Sequence, residues 1–363
     1  VEFFIEGGRS RTGKLGSPKM GMLSTFVEAA LEKRISDFYI VPISITYDRL
    51  VEGESYSHEL LGKSKKKESL KQLLTAGLDF LKVDFGRIAV RFAEPISVRE
   101  AIDRHIAEES QLLPTFDPAH SSEHRAHLIR ALAYRVVYDI NQASHIAPTS
   151  LVVAILMAYD KRGIEHSELV KKVDWLRREI ESRGAMVAHF DTPDVVIHRS
   201  VKFLNKLIKK REFKGPNMII YRSRASRRIE LAYYRNQLLH LFLGEGMIAC
   251  ALQSFPYRRM GDCGIDKSAL LKDVRFLSQL LKLEFIYKPS PDIQDNLDSV
   301  LTRMAKQGFF CTSAAQDCVE VSQEGKEMIS FLELLFRPFL DSYWVTSMTL
   351  FLLLKELEYR LRE

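Results

Sequence analysis

The sequence has few cysteines and few residues that break regular structure. Its four cysteines, Cys250, Cys263, Cys311 and Cys318, form no Cys-x-x-Cys pair. Because no histidine stands at zinc-finger spacing either, the pattern excludes a zinc ribbon and a disulfide framework, and it favours a reducing compartment. Only 18 glycines and 12 prolines occur among 363 residues, whereas 46% of the residues are hydrophobic. This composition excludes a disordered or collagen-like chain and allows two or three folded domains.

Long apolar runs are also missing. The longest ones, residues 146–159 and 344–354, fall short of the roughly 18 to 20 residues that span a bilayer. We therefore expect any membrane contact to be peripheral. The chain begins with Val1 instead of methionine, and we expect it to be a fragment that starts inside a domain.

Positive charge is concentrated in one segment. The net charge is +6, but residues 199–228 contain eleven lysines and arginines and a single acid, Glu212. Such a patch favours an anionic partner, which is a phospholipid surface, a phosphorylated small molecule or nucleic acid. The alternative interpretation is a solvated helix face that has no partner.

Strand and helix patterns alternate in the first hundred residues. Apolar runs predict strands at Phe3–Ile5, Phe38–Thr46, which reads as a buried strand, and Gly86–Phe92. Apolar residues at helical spacing predict helices at Leu23–Leu31 and Glu68–Val83. This order is typical of an α/β domain with a mostly parallel sheet and flanking helices.

Helical patterns dominate the rest of the chain. They predict helices at His124–Asn141, Thr149–Asp160, Glu168–Arg183, Ser200–Arg211 and Ile229–Leu243. Two more helices, Asp266–Leu283 and Asp292–Gly308, precede a predicted hairpin, an order that resembles a winged-helix module near residues 262–325. Residues 328–361 predict one long apolar helix or a pair of helices.

The most informative segment is Phe3-Phe-Ile-Glu-Gly-Gly-Arg-Ser-Arg-Thr-Gly-Lys14. Two arginines in so short a loop repel each other unless an anion lies between them, and the guanidinium fork matches phosphate oxygens. The glycines allow close backbone approach to a ligand. The segment therefore predicts a phosphate site, and the alternative is a surface turn with a Glu–Arg pair. It is not a nucleotide P-loop, because Leu15 follows Gly13-Lys14.

These residues resemble a known family. Phe4-Ile-Glu-Gly-Gly-Arg-Ser-Arg11 is similar to the FxEGxRSR motif of the glycerol-3-phosphate and dihydroxyacetone-phosphate O-acyltransferases, and Ile40-Val-Pro-Ile-Ser44 is similar to their motif with proline in a hydrophobic strand. Further segments follow in the family's order, and they are Tyr47-Asp48, Glu59-Leu-Leu-Gly62, Lys67-Glu-Ser69, Phe92-Ala-Glu-Pro95 and Tyr233-Tyr-Arg-Asn-Gln237.

The resemblance implies a fold, an activity and site residues. It implies acyl transfer from acyl-CoA to the sn-1 hydroxyl of a three-carbon phosphate, with no cofactor and no metal. Arg9 and Arg11 would bind the acceptor phosphate, and Glu6, Gly7 and Ser10 would shape that pocket. Lys14 joins this set because of its charge and proximity. Pro42 and Ile43 would line the acyl-CoA groove.

The resemblance also gives the domain organisation. Residues 1–145 would be the C-terminal part of the acyltransferase domain, and residues 146–363 a helical C-terminal domain. The family's H-x-x-x-x-D motif, which supplies the catalytic base, would lie upstream of Glu6, so we expect this fragment to be inactive. His189-Phe-Asp-Thr-Pro-Asp194 has the same spacing, but its position in the helical half argues against a catalytic role.

The acceptor remains open between two molecules. Gly7-Gly8 and Gly53-Glu-Ser55 resemble glycerol-3-phosphate enzymes, whereas Leu335-Phe-Arg-Pro-Phe339 and Tyr234-Arg-Asn-Gln-Leu238 resemble dihydroxyacetone-phosphate enzymes of ether-lipid synthesis. We favour glycerol-3-phosphate and the first step of phospholipid and triacylglycerol synthesis.

A lipid product implies a membrane-associated, cytosol-facing enzyme. The resemblance implies the mitochondrial outer membrane or endoplasmic reticulum in a eukaryote, or the peroxisome for the dihydroxyacetone-phosphate enzyme. Residues 199–228 and 344–354 are the candidates for lipid contact, although the second stretch can instead pack inside the helical domain. A winged-helix nucleic-acid-binding protein is the alternative from another class. The acidic residues Asp292, Asp295 and Asp298 on its recognition helix argue against it.

Overall fold

The computed structural model describes residues 1–50, 52–62, 84, 86–159, 163–213, 215, 218–254, 265–288, 293–313 and 318–360. These residues divide into two compact units. Unit 1 comprises Val1–Leu241 and Lys282–Pro289, and unit 2 comprises Phe242–Leu281 and Ser290–Glu363. The domain boundary predicted near residue 145 stays a prediction.

Helices and short strands build unit 1. Its helices are α1 (Gly21–Leu31), α2 (Gly53–Leu60), α3 (Val98–Leu112), α4 (Ser122–Ala143), α5 (Pro148–Ala158), α6 (His166–Ser182), α7 (Pro193–Phe203) and α8 (Arg228–Asn236). Its strands are β1 (Tyr39–Ile40), β2 (Ile43–Tyr47), β3 (Ile88–Phe92), β4 (Ile96–Ser97), β5 (Ile164–Glu165), β6 (Ile208–Phe213) and β7 (Met218–Ser223). The predicted helix Glu68–Val83 lies outside the described residues.

Local sequence signals explain where several helices begin. Ser97 caps α3, because its Oγ accepts a hydrogen bond from the Glu100 amide at 3.1 Å, and Ser121 caps α4 in the same way. Pro148 and Pro193 stand at the first positions of α5 and α7, where the missing N–H costs nothing. The helix positions predicted between residues 122 and 183 are therefore confirmed to within a few residues.

The expected mostly parallel sheet is not seen among the described strands. Strand β2 pairs antiparallel with β3, and β1 pairs antiparallel with β4. The segment Phe3–Ile5 forms a turn instead of a strand, since the Gly7 amide donates to the Phe4 carbonyl at 2.8 Å. It therefore adds no parallel neighbour to β2. Within the described ranges, the one parallel pairing is an isolated bridge between Ile146 and Val187.

The predicted buried strand Phe38–Thr46 is also corrected. It divides at Pro42 into β1 and β2, which pair with different strands. Ile43, Ile45 and Tyr47 of β2 lie opposite Phe92, Val90 and Ile88 of β3, and all six side chains are exposed. The polar residues Ser44 and Thr46 face inward, where they bond Ser144 Oγ and the His145 carbonyl.

Apolar helix faces form the core of unit 1. Leu23 and Val27 of α1 pack with Ile102 of α3 and with Leu132 and Val136 of α4. A second part of the core surrounds α5, whose residues 148–156 are all buried. A helix that is apolar on every side is stable only when other elements enclose it, and α6, α7 and α8 pack on α5.

The helix predicted at Ser200–Arg211 is wrong. Helix α7 ends at Phe203, and residues 208–213 form β6, which pairs antiparallel with β7. The basic residues Lys209, Lys210 and Arg211 are exposed on this hairpin. Strand pairing overrides the local spacing here, because each strand contributes six residues to a continuous ladder. The central part of the basic segment is therefore a hairpin, whereas Arg199 and Lys202 lie on α7.

Unit 2 contains helices and a three-stranded antiparallel sheet. The helices are α9 (Leu243–Ser254), α10 (Lys267–Leu280), α11 (Ile293–Lys306) and α12 (Gly325–Arg360), and the strands are β8 (Ile265–Asp266), β9 (Phe310–Ser313) and β10 (Cys318–Val321). The predicted order of two helices followed by a hairpin is confirmed, and β8 adds a third strand in the order β8-β10-β9.

Helix α12 changes character along its length. Its first half buries Met328, Leu332, Leu335 and Phe336. Its second half exposes the large apolar side chains that we proposed as lipid contacts or as core, and Trp344 is 66% exposed. The alternative of packing inside the helical domain is therefore not observed. No helix in the described part of the chain has an apolar segment long enough to cross a membrane.

A close contact between α9 and α12 in unit 2 gives a stability prediction. A Cβ added at Gly246 on α9 would lie 2.1 Å from Cδ2 of Phe336 on α12. Gly246→Ala should therefore destabilise the protein by about 1 to 3 kcal/mol through overpacking, measured by thermal and urea unfolding. Gly21→Ala is the matched control in a helix, since its Cβ meets no atom within 4 Å. Equal stability of the two variants would contradict this packing.

Candidate functional site

The glycine-bearing segment forms a closed loop, residues 6–16, which we call the basic loop. Gly7 adopts a φ of 72°, a left-handed conformation that glycine takes without strain. The Glu6 carboxylate accepts a hydrogen bond from the Gly16 amide at 2.6 Å, which closes the loop. Burial raises the pKa of Glu6, and the Gly16 N–H opposes that shift. Ser10 Oγ stabilises the loop further by donating to the Lys14 carbonyl at 2.7 Å.

Each cation of the basic loop contacts a carboxylate. Arg9 Nη1 donates to both oxygens of Glu52, at 2.9 and 3.0 Å. Arg11 Nε lies 3.0 Å from Glu59 Oε2. Lys14 pairs with the Glu284 carboxylate and donates to the Glu284 carbonyl at 2.6 Å. The loop therefore has its cations oriented by acids from other parts of the chain.

Tyr56 binds the same carboxylate as Arg9. Its hydroxyl donates to Glu52 Oε2 at 2.5 Å. Hydrogen bonds from Tyr56 and Arg9 lower the pKa of Glu52, so the carboxylate is ionised at neutral pH. Tyr56 and Glu52 in turn raise the pKa of Arg9, whose side chain is 72% exposed.

Helix α8 holds the basic loop from the other side. Gly13 adopts a φ of 80°, and a Cβ there would lie 2.0 Å from the Tyr233 carbonyl oxygen. Asn236 Nδ2 donates to the Thr12 carbonyl at 2.8 Å. Arg235 is buried, and it donates to Asn236 Oδ1 through Nε and Nη2. Residues 233–237 are thus part of the scaffold of this site, although they lie more than 200 positions away in sequence.

A cavity of about 1380 Å³ lies beside the basic loop in unit 1. Of the predicted site residues, the ones that line it are Glu6, Arg9, Ser10, Lys14, Pro42 and Ile43. Gly7 and Arg11 belong to the same loop but are not in the lining. Apolar side chains, among them Phe26, Phe38 and Ile40, line another part of the wall. The cavity therefore offers cationic and apolar surface to one ligand.

Sequence reasoning did not identify several polar residues of this cavity. They are Glu52, Tyr56, Asn141, His145, Tyr233, Asn236 and His240. Burial lowers the pKa of His240 to about 4, so its imidazole is neutral at physiological pH. Its Nε2 atom is buried and has no hydrogen-bond partner among the described residues. Burial likewise raises the pKa of Tyr233 to about 12. For Tyr233 and Asn236, the sequence offered one signal, which is the similarity of the segment Tyr233-Tyr-Arg-Asn-Gln237 to the family.

His189 and Asp194 do not form a catalytic pair. Asp194 Oδ1 lies 2.7 Å from Nε2 of His166, not of His189. His189 has a positive φ of 49°, and its carbonyl accepts a hydrogen bond from Arg87. Neither His189 nor Asp194 lines the cavity beside the basic loop. The spacing match is therefore accidental, as we expected.

Comparison with known proteins places the chain in a family. Residues 56–363 match the family described as the glycerol-3-phosphate acyltransferase C-terminal region. The dihydroxyacetone phosphate acyltransferase of Bos taurus is 31% identical over 362 residues, which cover 95% of this chain and 51% of that protein. The glycerol-3-phosphate acyltransferase of Ectopseudomonas mendocina is 30% identical over 316 residues, or 85% of this chain and 36% of that protein.

The human dihydroxyacetone phosphate acyltransferase is similar to the same extent, with 29% identity over 357 residues. The chain spans about half the length of the mammalian relatives that it matches. The family match alone covers most of the chain. The chain therefore belongs to the glycerol-3-phosphate acyltransferase C-terminal region family.

Proposed function

We propose that this protein is an acyltransferase that transfers a fatty acyl group from acyl-CoA to glycerol-3-phosphate. The observation that carries the proposal is the cavity beside the basic loop, because it joins cationic and apolar lining within one space. A phosphorylated acceptor requires the first kind of surface and an acyl chain the second. Relatives named for both three-carbon phosphates support the reaction class.

In this proposal the arginines of the basic loop position the acceptor. Arg9 and Arg11, whose own side chains are more than half exposed, bind the acceptor phosphate by exchanging Glu52 and Glu59 for phosphate oxygens. The guanidinium forks match those oxygens in a bidentate manner. Fixing the phosphate fixes the acceptor hydroxyl beside the acyl donor, and such positioning lowers the entropic part of the barrier. Glu6 and Ser10 keep the loop closed while the phosphate is bound.

The acyl group binds along the apolar part of the cavity. Pro42 and Ile43 lie there with Phe26, Phe38 and Ile40. During transfer, a base takes the proton from the acceptor hydroxyl. The hydroxyl oxygen attacks the thioester carbonyl, and CoA leaves as the thiol. In the family's scheme the base is the histidine of the H-x-x-x-x-D motif.

Dihydroxyacetone phosphate is a second candidate acceptor. The relatives of that name match over 94 to 95% of this chain, whereas the bacterial glycerol-3-phosphate acyltransferases match over 85%. The two acceptors differ at C2, which carries a hydroxyl in one and a carbonyl in the other. The loop arginines contact the phosphate in either case.

We further propose that the protein contacts a membrane surface from its cytosolic side. In unit 2, the second half of α12 exposes Trp344, Val345, Met348, Leu350, Phe351, Leu352, Leu353, Leu354 and Leu357. In unit 1, the β6–β7 hairpin exposes basic side chains. Apolar area buried in the interface and attraction to anionic lipid each favour interfacial binding, so each of these surfaces is a candidate lipid contact within its own unit. In a eukaryote, this membrane would be the mitochondrial outer membrane or the endoplasmic reticulum for a glycerol-3-phosphate enzyme, and the peroxisome for a dihydroxyacetone-phosphate enzyme.

The arginine assignment predicts a selective kinetic defect. In the complete gene product, Arg9→Ala and Arg11→Ala should each raise the KM for the acceptor by about 10- to 100-fold, since each removes a charge-assisted hydrogen bond. The KM for palmitoyl-CoA should change by less than about twofold. Arg34→Ala is the control, because Arg34 is an exposed arginine paired with Glu32, and it belongs neither to the basic loop nor to the cavity lining. Equal changes in both KM values would contradict the phosphate assignment.

The acceptor assignment predicts a preference that one assay measures. Transfer of radiolabelled palmitate from palmitoyl-CoA should be faster to glycerol-3-phosphate than to dihydroxyacetone phosphate at equal concentrations. The Arg9→Ala variant serves as the low-activity control. Faster transfer to dihydroxyacetone phosphate would make the second candidate correct, and no transfer to either would refute the proposed activity.

The membrane proposal predicts two separable losses of vesicle binding. The double variant Trp344→Ser with Phe351→Ser should reduce partitioning onto phosphatidylcholine–phosphatidylglycerol vesicles by about tenfold or more. It removes apolar area that would become buried in the lipid on binding. Lys209→Glu with Arg211→Glu should remove the dependence on anionic lipid and salt. Leu112→Ser is the control, since Leu112 is exposed but lies on α3. Binding that is unchanged in both double variants would refute the proposal.

A further inference from the structure

Three metal-binding side chains meet on the surface of unit 1, away from the cavity. His105 and Glu109 stand four positions apart on α3, so they lie on the same face of that helix. His127 lies on the neighbouring helix α4. One ligand atom of each residue lies within 4.8 Å of the others. None of the three residues lines the cavity beside the basic loop.

The distance between the two imidazoles fits a shared metal ion. His105 Nε2 lies 3.3 Å from His127 Nδ1. Two nitrogens that each lie about 2.05 Å from a zinc ion and subtend the tetrahedral angle are about 3.3 Å apart. A hydrogen bond between two neutral imidazoles has a similar length, so the third ligand is what distinguishes the two interpretations. The Glu109 carboxylate supplies it, and it has no ion pair with any described lysine or arginine.

A buried phenylalanine orients the two rings. Phe116 lies in the loop between α3 and α4, and its ring meets His105 and His127 edge-on at centroid distances of 5.8 and 5.9 Å. His124 stacks on the Phe116 ring at a centroid distance of 4.8 Å. Packing that restricts ligand rotamers lowers the cost of ordering a metal site. The rings are therefore held next to each other before any ion arrives.

The local electrostatics also suit a cation. Glu108 and Glu109 both place negative charge near His105. His127 is exposed, which leaves room for a water molecule as a further ligand.

We propose that His105 Nε2, His127 Nδ1 and the Glu109 carboxylate bind a zinc-type divalent transition-metal ion that joins α3 to α4. Two imidazoles and one carboxylate form a ligand set that zinc accepts readily, and magnesium and calcium do not favour it. The ion holds together two helices that carry part of the core of unit 1. Its role is structural, since the ligands stand outside the cavity in which we place the acyl transfer. The assignment does not depend on that transfer.

Zinc titration of the purified, tag-free protein tests the site. Isothermal titration calorimetry with zinc chloride should give one equivalent of bound metal, and 1 mM magnesium should not compete. His105→Ala and His127→Ala should each weaken that binding by more than about 100-fold, and Glu109→Gln by about 10- to 100-fold. His198→Ala is the control, because His198 is exposed on α7, away from the cluster. Far-UV circular dichroism of every variant confirms that it is folded.

A second readout reports the ligand geometry. Cobalt bound in place of zinc should show the intense visible absorption of a four- or five-coordinate site, and the His127→Ala protein should lose it. Zinc should also raise the melting temperature of the unsubstituted protein but not that of the His105→Ala protein. Unchanged stoichiometry and affinity in both histidine variants, or no binding to the unsubstituted protein, would overturn the proposal. The 3.3 Å contact would then be a hydrogen bond alone.

Discussion

The carboxylates that pair with the cations of the basic loop determine the arrangement of the whole site. Glu52 and Glu59 come from the α2 region, whereas Glu284 comes from a segment that rejoins unit 1 after residue 281. Two arginines and a lysine within six positions repel each other, and the acids offset that repulsion. Because each cation has its own acid, the loop folds against distant parts of unit 1. The cavity beside it is the space that these contacts enclose.

The three ion pairs differ in exposure, and the difference separates binding from structural roles. Arg9 is 72% exposed, so its pair with Glu52 contributes little to stability and is easily exchanged for another anion. Arg11 is also more than half exposed. Lys14, at 16% exposure, is bonded to the Glu284 carboxylate and carbonyl and lies over the Phe285 ring at 5.0 Å. An exposed ion pair suits a ligand that binds and dissociates in each turnover. Lys14, which is partly buried, is better placed to hold residues 282–289 against the loop.

Features encoded within a few residues were predictable from the sequence, and those that depend on distant contacts were not. The glycine turn, the clustered arginines and the long helices α4 and α12 follow from local spacing and composition. The acid partners of Arg9 and Lys14 stand 43 and 270 positions away, so no local pattern identifies them. The helical apolar spacing of residues 201–208 predicts a helix that continues to Arg211, but residues 208–213 form β6, because β7 offers them a ladder of strand hydrogen bonds. The antiparallel sheet direction likewise depends on pairing across 40 residues.

The apolar surface of α12 follows from its own sequence and helix geometry. Before Pro338, apolar residues recur every three or four positions, and one face enters the core of unit 2. From Leu350 to Leu354, five consecutive positions are apolar, so they point in every direction around the helix axis. Such a segment is buried only where other elements enclose it on all sides, as they enclose α5, whereas these five side chains are each more than half exposed. Exposed patches of this kind in folded proteins mark contacts with a partner or a membrane. The proposed activity would use an amphipathic acyl donor and release a lipid product, and for that reason we propose a membrane contact for the exposed end of α12.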